Sequence, residues 1–275
     1  MAESASCPTA TTEPAVKKPP MLSSVWDMTV WEAFDRGSKE SKYVTFYLIT
    51  SEDELFFGQL FKKKKDITLE EYHEALQHVP DSELYPEVPQ AFDQTIAPGD
   101  LDDTSAFIKR PGLNSYESFK GTDFVPKSVL DETLIMEKIS QKPHPHIIHY
   151  HGCRIHRGRI TGIVLERLDK TLMQYVEEPE FAQLDKVKFM EALESAIAHL
   201  HELGLAHNDL NPHNISVRDD GLPVLIDFGS CAPFGGRLQS LGSLGWYEDE
   251  FFTSEAKHDV FALNKMRQWL GQPEE

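Results

Sequence analysis

The sequence is poor in cysteine and lacks long apolar runs, and each shortage excludes a class of protein. Its three cysteines, Cys7, Cys153 and Cys231, are widely spaced and odd in number, which argues against a disulfide framework. They indicate a reducing, intracellular compartment, cytoplasmic or nuclear. No apolar run approaches the roughly 20 residues needed to cross a bilayer, and the first residues lack the pattern of a secretion signal. We therefore expect a protein that is neither secreted nor held in a membrane.

Basic residues are also scarce, since 27 Lys and Arg stand against 45 Asp and Glu and give a formal net charge of -18. Such a surface repels a phosphate backbone, so no nucleic-acid partner is expected. The run Lys62–Lys65 is the one basic patch, and it favours a solvated strand end. The length of 275 residues is ample for a core, whereas composition predicts nothing about the oligomeric state.

The stretch Leu205–Cys231 holds the residues with the clearest chemical pattern. Asp209 and Asn214 lie in a short loop after a predicted helix, and the strand-like run Pro223–Ile226 leads into Asp227–Gly229. Transfer of a phosphoryl group from a magnesium-bound nucleotide needs one carboxylate as base, and a second carboxylate with an amide oxygen to hold the metal. The pattern predicts a phosphotransferase site.

The order of these residues resembles the protein kinase superfamily. His207-Asn208-Asp209 with Asn214 is similar to the catalytic loop H-R-D-x-x-x-x-N, and Asp227-Phe228-Gly229 matches the magnesium-binding D-F-G. The resemblance implies an α+β, two-lobed protein kinase-like fold with an antiparallel-sheet N-lobe and a shortened helical C-lobe. It also implies ATP and Mg²⁺ as cofactors. The short form is similar to kinase-like proteins of fungi.

The resemblance assigns a role to each residue of the predicted site. Asp209 would be the general base, and Asn214 and Asp227 would bind the nucleotide through Mg²⁺. The stretch Leu165–Leu168 would link the lobes, so Glu166 and Leu168 are predicted to hold the adenine through their backbone groups.

The lysine and the helix that the family requires lie upstream. Ala106–Pro111 reads as a short strand that carries Lys109, which would contact the α- and β-phosphates. Phe124–Ser140 has helical periodicity and offers Glu132 as the partner of Lys109, with Glu137 as the reserve choice. Downstream, Asp259 begins a helical stretch and resembles the aspartate that braces the catalytic loop.

Three departures from the family pattern affect the chemistry. The glycine-rich loop G-x-G-x-x-G is missing, because the hairpin stretch 43–61 contains a single glycine, Gly58, which lies within a strand pattern. Asn208 replaces the arginine that would pair with an activation-loop phosphate, so control through such a phosphate is not expected. Asn211 stands where protein kinases place a lysine that neutralises the γ-phosphate. We predict slow chemistry from these replacements.

The sequence also predicts the division of the chain. A tail at 1–24, rich in Ala, Ser, Thr and Pro, is predicted to be disordered. An N-lobe at 25–165 follows, with an irregular insertion near 66–103, and a shortened helical C-lobe at 166–275 carries the catalytic loop and the D-F-G motif. Within the N-lobe, Tyr43–Ser51 and Leu55–Phe61 predict a hairpin, and Thr68 is expected to cap a short helix.

Histidines crowd the stretch 144–156, but strand alternation would scatter them over both faces, which argues against a zinc site.

Three functions remain open from the sequence. The first is a Ser/Thr-type protein kinase that acts on a protein substrate. The second is a small-molecule phosphotransferase, because the loop also resembles that of aminoglycoside and choline kinases, which lack the lysine after the base. The third is a pseudokinase, a binding or scaffold module that has lost turnover. The presence of Lys109, Asp209, Asn214 and Asp227 at the motif positions favours an enzyme.

Overall fold

A computed structural model describes residues 17–34, 40–90, 93–113 and 116–273 of the chain. Most of the tail predicted at 1–24 therefore lies outside the described residues. The chain divides into two compact units, with the boundary between Asp81 and Ser82. No helix in the described ranges is long and apolar enough to span a membrane.

The first unit is an antiparallel sheet of four strands covered by one helix. In chain order its elements are β1 (Thr29–Phe34), β2 (Ser41–Ile49), β3 (Leu55–Leu60), α1 (Leu69–Ala75) and β4 (Gln77–Val79). The strands follow one another in the sheet in that order, and β2 and β3 form the predicted hairpin, with Ile49 opposite Leu55.

Helix α1 packs on this sheet through the ring of Tyr72 and approaches the backbone of Gly58 in β3. Its predicted cap is confirmed: Thr68 Oγ1 accepts a hydrogen bond from Glu71 N at 3.2 Å, and Glu71 Oε2 accepts one from Thr68 N at 3.0 Å. Tyr72 stands edge-on to Phe46 with ring centroids 4.7 Å apart. A Cβ on Gly58 would lie 2.4 Å from the ring of Phe46 and 2.9 Å from the carbonyl of Ala75. Gly58 therefore serves the packing of helix on sheet.

The second unit begins with a three-stranded antiparallel sheet and the helix that packs on it. Its elements are β5 (Phe107–Lys109), α2 (Tyr116–Phe119), α3 (Phe124–Ser140), β6 (Tyr150–His156) and β7 (Arg159–Leu165). The strand order is β5-β7-β6. Ile135, Met136 and Ile139 of α3 join Tyr150, Ile163 and Leu165 in one buried cluster.

The insertion predicted near 66–103 has two parts: its first residues form α1 and β4 of the first unit, and the stretch 86–97 runs along the β6–β7 hairpin. Ile160 N donates to Pro86 O at 3.0 Å, Cys153 N donates to Thr95 O at 2.8 Å, and Ala97 N donates to Cys153 O at 3.0 Å. The approach is so close that a Cβ on Gly152 would lie 2.5 Å from Ala97 N. The segment thus pairs with the edge of β6 through its backbone.

The remainder of the second unit is mainly helical. Its elements are α4 (Leu172–Tyr175), α5 (Lys186–Glu202), β8 (Leu205–Ala206), β9 (Ile215–Val217), β10 (Pro223–Leu225), β11 (Ala232–Pro233) and α6 (Ala256–Gly271). Strands β9 and β10 pair antiparallel, and so do β8 and β11. The apolar residues Val187, Met190, Leu193, Ile197 and Leu200 predict one buried stripe along α5; the last four are buried, whereas Val187, in the first turn, is exposed. Gly204 follows the helix with φ +71°.

The hairpin at 43–61 and Lys109 lie in separate sheets. The hairpin belongs to β1-β2-β3-β4 of the first unit, and Lys109 ends β5 of the second. The physical reason is that the apolar side chains of the hairpin are buried against α1 in a cluster of their own. The division at 25–165 and 166–275 remains a prediction.

We predict that Gly58→Ala destabilises the protein by about 1–3 kcal/mol, the usual cost of forcing extra volume into a packed core. The added methyl would meet both Phe46 and the backbone of Ala75. Urea denaturation measures the change. Gly99→Ala is the control, because a Cβ there meets nothing within 4 Å. Equal unfolding midpoints for Gly58→Ala and wild type would contradict the role given to Gly58.

Candidate active site

Lys109 lies between two carboxylates that come from distant parts of the chain. Its Nζ donates to Glu132 Oε1 at 2.6 Å and to Asp227 Oδ1 at 2.8 Å. The side chain of Glu132 is 10% exposed, so α3 must lie against β5 for the contact to form. The structure thus brings Lys109, Glu132 and Asp227 together, as the sequence predicts.

The reserve partner, Glu137, has a structural task one helical turn further along α3. It is buried and accepts hydrogen bonds from Thr95 N at 2.8 Å, Thr95 Oγ1 at 2.9 Å and the Tyr150 hydroxyl at 2.8 Å. Glu137 therefore ties the segment before β5 to α3, and only Glu132 reaches Lys109.

The charges of Lys109 and Asp227 stabilise each other. Burial opposes the charge of Lys109, but Glu132 and Asp227 outweigh it and raise the pKa of the ammonium above its usual value. Burial also opposes ionisation of Asp227, yet Lys109 and the N–H of Gly229 hold the pKa of that carboxyl below its usual value. Lys109 and Asp227 are therefore both charged at neutral pH.

The D-F-G turn is shaped by its own side chains. Asp227 adopts φ +59°, and its Oδ1 accepts a hydrogen bond from Gly229 N at 3.1 Å. Phe228 N donates to Glu132 Oε1 at 3.2 Å, and the Phe228 ring is buried beside His207 with centroids 5.4 Å apart. The turn is consequently anchored to both α3 and the catalytic loop.

The catalytic loop is held by one buried carboxylate from α6. Asp259 is fully buried; its Oδ1 accepts from Asn208 N at 2.8 Å, and its Oδ2 accepts from His207 N at 2.9 Å. His201 Nε2 lies 2.9 Å from the same Oδ2. This geometry matches the brace that the resemblance implies for Asp259. His207 supports the loop as well, because its Nε2 lies 3.2 Å from Ile226 O.

The proposed base, Asp209, is surrounded by hydrogen-bond donors. Its Oδ1 accepts from Ser243 N at 2.7 Å and from Asn211 Nδ2 at 3.0 Å, and its Oδ2 accepts from Asn214 Nδ2 at 3.0 Å. Asn211 also donates to Ser243 Oγ at 3.1 Å. In place of a lysine, Asn211 thus supplies a neutral link between the base and the segment that follows the D-F-G turn.

The oxygens available to a metal ion are those of Asp227 and Asn214. Within the described part of the chain, Asp227 Oδ2 and Asn214 Oδ1 accept no hydrogen bond, because the contacts of these side chains use Asp227 Oδ1 and Asn214 Nδ2. A carboxylate and an amide oxygen are hard donors of the kind that Mg²⁺ prefers. The donor set fits this ion.

The linker residues divide their roles between side chain and backbone. The carboxylate of Glu166 faces away from the lysine, because it pairs with Arg218 Nη2 at 2.9 and 3.1 Å and accepts from His149 N at 2.9 Å. Leu168 is partly buried against the core, and its N–H donates to no residue among those described. Any adenine contact would therefore fall to the backbone of this stretch.

Several histidines of the stretch 144–156 stand close together, since the ring of His144 lies 5.6 Å from that of His146 and 5.1 Å from that of His199, but their ring nitrogens contact other groups. His146 Nδ1 lies 3.1 Å from Pro223 O, His144 Nε2 lies 3.1 Å from Ser195 Oγ, and His199 Nε2 lies 2.8 Å from Lys142 O. No group of three or more His, Cys, Asp or Glu side chains in the described ranges could hold a metal ion.

Sequence reasoning missed the residues that fix the segment after the D-F-G turn. Ser243 N contacts the base, Gln239 contacts α3, and Ser254 contacts Asn208. Serine and glutamine are common on surfaces, so no signal in the sequence marks these positions. Asn208 offered a signal, since it replaces a charged residue within an otherwise intact motif.

Comparison with protein-family models matches the larger part of the second unit. A family model described as the protein kinase domain matches residues 112–264, which is more than half of the chain. The chain is 34% identical over 140 residues to the serine/threonine-protein kinase/endoribonuclease IRE1 of Hypocrea jecorina, covering 44% of this chain and 11% of that protein. It is 27% identical over 158 residues to the MAP kinase kinase kinase SSK2 of Saccharomyces cerevisiae, covering 53% of this chain and 10% of that protein.

A third relative is human serine/threonine-protein kinase/endoribonuclease IRE2, 34% identical over 121 residues. The match covers 39% of this chain and 13% of that protein. The chain therefore spans only about a tenth of the length of these curated relatives.

We predict that Asp259→Asn destabilises the protein by about 1–3 kcal/mol, because an amide group would face a buried N–H that now has an acceptor. Denaturation with urea measures the loss. The matched control is Asp249→Asn, which makes the same change at an exposed residue. A midpoint for Asp259→Asn equal to that of the control would show that the brace carries no stability.

A second prediction concerns pH. The folded-state pKa of Asp227 is lowered, so its contribution to stability is present above the unfolded value of 3.8 and is lost as pH falls through the folded value. The difference in unfolding free energy between wild type and Asp227→Asn should be constant from about pH 5 to 8 and shrink in more acidic buffer. A difference that instead grows on acidification would contradict the assignment.

Proposed function

We propose a protein kinase activity for this chain, which belongs to the protein kinase family. It would transfer the γ-phosphoryl group of ATP, with Mg²⁺, to a Ser or Thr hydroxyl of a protein substrate. The observation that carries the proposal is Lys109 bridging Glu132 and Asp227 at 2.6 and 2.8 Å. In protein kinases this lysine–glutamate pair and the D-F-G aspartate must be in place together for phosphoryl transfer.

Each side chain of the site has a task in this reaction. Lys109 would orient the α- and β-phosphates, and Asn214 and Asp227 would hold the metal, which supplies neutralisation of phosphate charge when bound. Asp209 would accept the proton of the substrate hydroxyl and orient its oxygen. The N–H of Ser243 and the amides of Asn211 and Asn214 fix the Asp209 carboxylate before the substrate arrives.

Two features favour slow turnover. Asn211 donates to Asp209 but carries no charge, so it cannot neutralise the γ-phosphate as a lysine would. In addition, no described strand pairs with β5 on the side away from β7, where a glycine-rich hairpin would cover the phosphates. A single electrostatic donor in such a site is worth about 10²–10³ in kcat.

The test is transfer of labelled γ-phosphate from ATP in the presence of Mg²⁺, with mixed protein substrates. Asp209→Asn should lower kcat by about 10²–10⁴, the usual contribution of a positioned general base. Asp219→Asn, an exposed turn residue, should leave kcat unchanged. Equal rates for Asp209→Asn and wild type would refute the assignment of the base.

The location of the label separates the remaining alternatives. Label in proteins supports the proposal, whereas label only in small hydroxylated compounds, such as aminoglycosides or choline, supports a small-molecule phosphotransferase. Absence of label together with a thermal shift by ATP and Mg²⁺ supports a pseudokinase, because a ligand that binds the folded state stabilises it by mass action. Absence of any shift at millimolar nucleotide would overturn both enzyme assignments.

A further inference from the structure

The chain that follows the D-F-G turn is tied at both ends to one buried side chain. We call residues 230–254 the post-DFG segment. Asn208 Nδ2 lies within hydrogen-bond distance of three oxygens: Ala206 O at 2.8 Å, Ser230 O at 3.0 Å and Ser254 Oγ at 3.0 Å. A single carboxamide in the catalytic loop thereby joins the first and last residues of the segment.

The carboxamide is well suited to this position. Asn208 is 4% exposed and adopts φ +63°, a conformation that asparagine tolerates better than most residues. Its Oδ1 lies 3.2 Å from His258 Nδ1, and its own N–H donates to Asp259. The contacts of Asn208 are therefore made with neutral side-chain or backbone groups, apart from the Asp259 brace.

A second tie joins the middle of the post-DFG segment to α3. Gln239 Nε2 donates to Asp131 Oδ2 at 2.6 Å, and Ser128 Oγ donates to Gln239 Oε1 at 3.0 Å. Asp131 directly precedes Glu132, whose carboxylate meets Lys109. The segment thus holds the turn of α3 that supplies the ion pair.

We propose that Asn208 and Gln239 are positioning residues that hold the post-DFG segment in its catalytic arrangement without a phosphate group. In kinases that are controlled by phosphorylation of this segment, new arginine–phosphate pairs order it. Here the arginine is replaced by Asn208, and the ordering contacts are neutral hydrogen bonds already formed. The proposal rests on the proposed function where it concerns catalysis, and on the hydrogen bonds alone where it concerns order.

The first test is hydrogen exchange of the full chain, which needs no activity. Asn208→Asp keeps the size of the side chain but turns a carboxylate oxygen towards the three oxygens that now accept from Nδ2. We expect amides of residues 230–254 to exchange roughly 10-fold faster or more, since a buried hydrogen-bond network is lost. Asn264→Asp is the control, because Asn264 is exposed on α6. Unchanged exchange in Asn208→Asp would overturn the proposal.

The second test exchanges donor and acceptor between the segment and α3. Gln239→Glu places two carboxylates together at Asp131 and should lower kcat several-fold, with KM for ATP less affected. Adding Asp131→Asn restores an amide–carboxylate hydrogen bond in the opposite direction and should restore kcat. The single variant Asp131→Asn controls for loss of the ion pair with Lys127, whose Nζ lies 2.9 Å from Asp131 Oδ2. Failure of the double variant to exceed Gln239→Glu would refute the role of Gln239.

Phosphatase treatment of the wild type separates this proposal from the proposed function. We expect both phosphoryl transfer and the exchange rates of residues 230–254 to be unchanged after treatment. Faster exchange after treatment would show that a phosphate orders the segment, and would overturn the positioning role of Asn208 and Gln239. If the wild type transfers no phosphate at all, the proposed function fails, while the exchange data still decide whether Asn208 holds the segment.

Discussion

The ammonium of Lys109, held between Glu132 and Asp227, is the interaction on which the rest of the site depends. The carboxylate of Glu132 is buried, and a buried charge is costly unless it is paired, so Glu132 requires Lys109. Because the three residues lie on β5, on α3 and after β10, their meeting fixes the position of a strand, a helix and a turn at once. The geometry of the active site and the packing of β5 and α3 in the second unit therefore depend on each other.

Backbone N–H groups explain why the loops around this ion pair can be ordered without regular secondary structure. A buried donor needs an acceptor, and here carboxylates supply it: Asp259 accepts from two successive N–H groups of the catalytic loop, and Glu132 accepts from Phe228 N. Asp209 accepts from Ser243 N in the same manner. Carboxylates on helices and loops thus define the course of the chain across the site.

Much of this site could be predicted from the sequence because its residues fall in fixed order within recognisable motifs. Lys109, Glu132, Asp227 and Asp259 meet the partners expected of them, and the cap at Thr68 and the hairpin at 43–61 are where the local pattern predicts. The sequence pattern could not predict which sheet each strand joins or which helix packs on that sheet. Alternating apolar residues show that a strand buries one face, but they do not say against which helix or in which sheet.

Asn208 and Gln239 show a second limit of sequence reasoning. The family motif identifies Asn208 only as the replacement of an arginine. Its structural role comes from three acceptor oxygens, which belong to residues far apart in the chain. Polar contacts of this kind depend on distances of about 3 Å, and residue spacing along the chain does not determine them.

The missing glycine-rich loop then acquires a definite consequence. The segment that precedes β5 pairs with β6 and contacts the face of the sheet formed by Ile108 and Val164, so its described part is committed to that hairpin. A nucleotide would then depend on Lys109, the metal ligands and the backbone of the linker. The nucleotide contacts that a glycine-rich loop would make cannot be replaced by the general base, because the base acts only on the proton of the substrate hydroxyl. A fully formed catalytic loop, with the contacts made by Asp209 and Lys109, therefore does not by itself provide tight nucleotide binding.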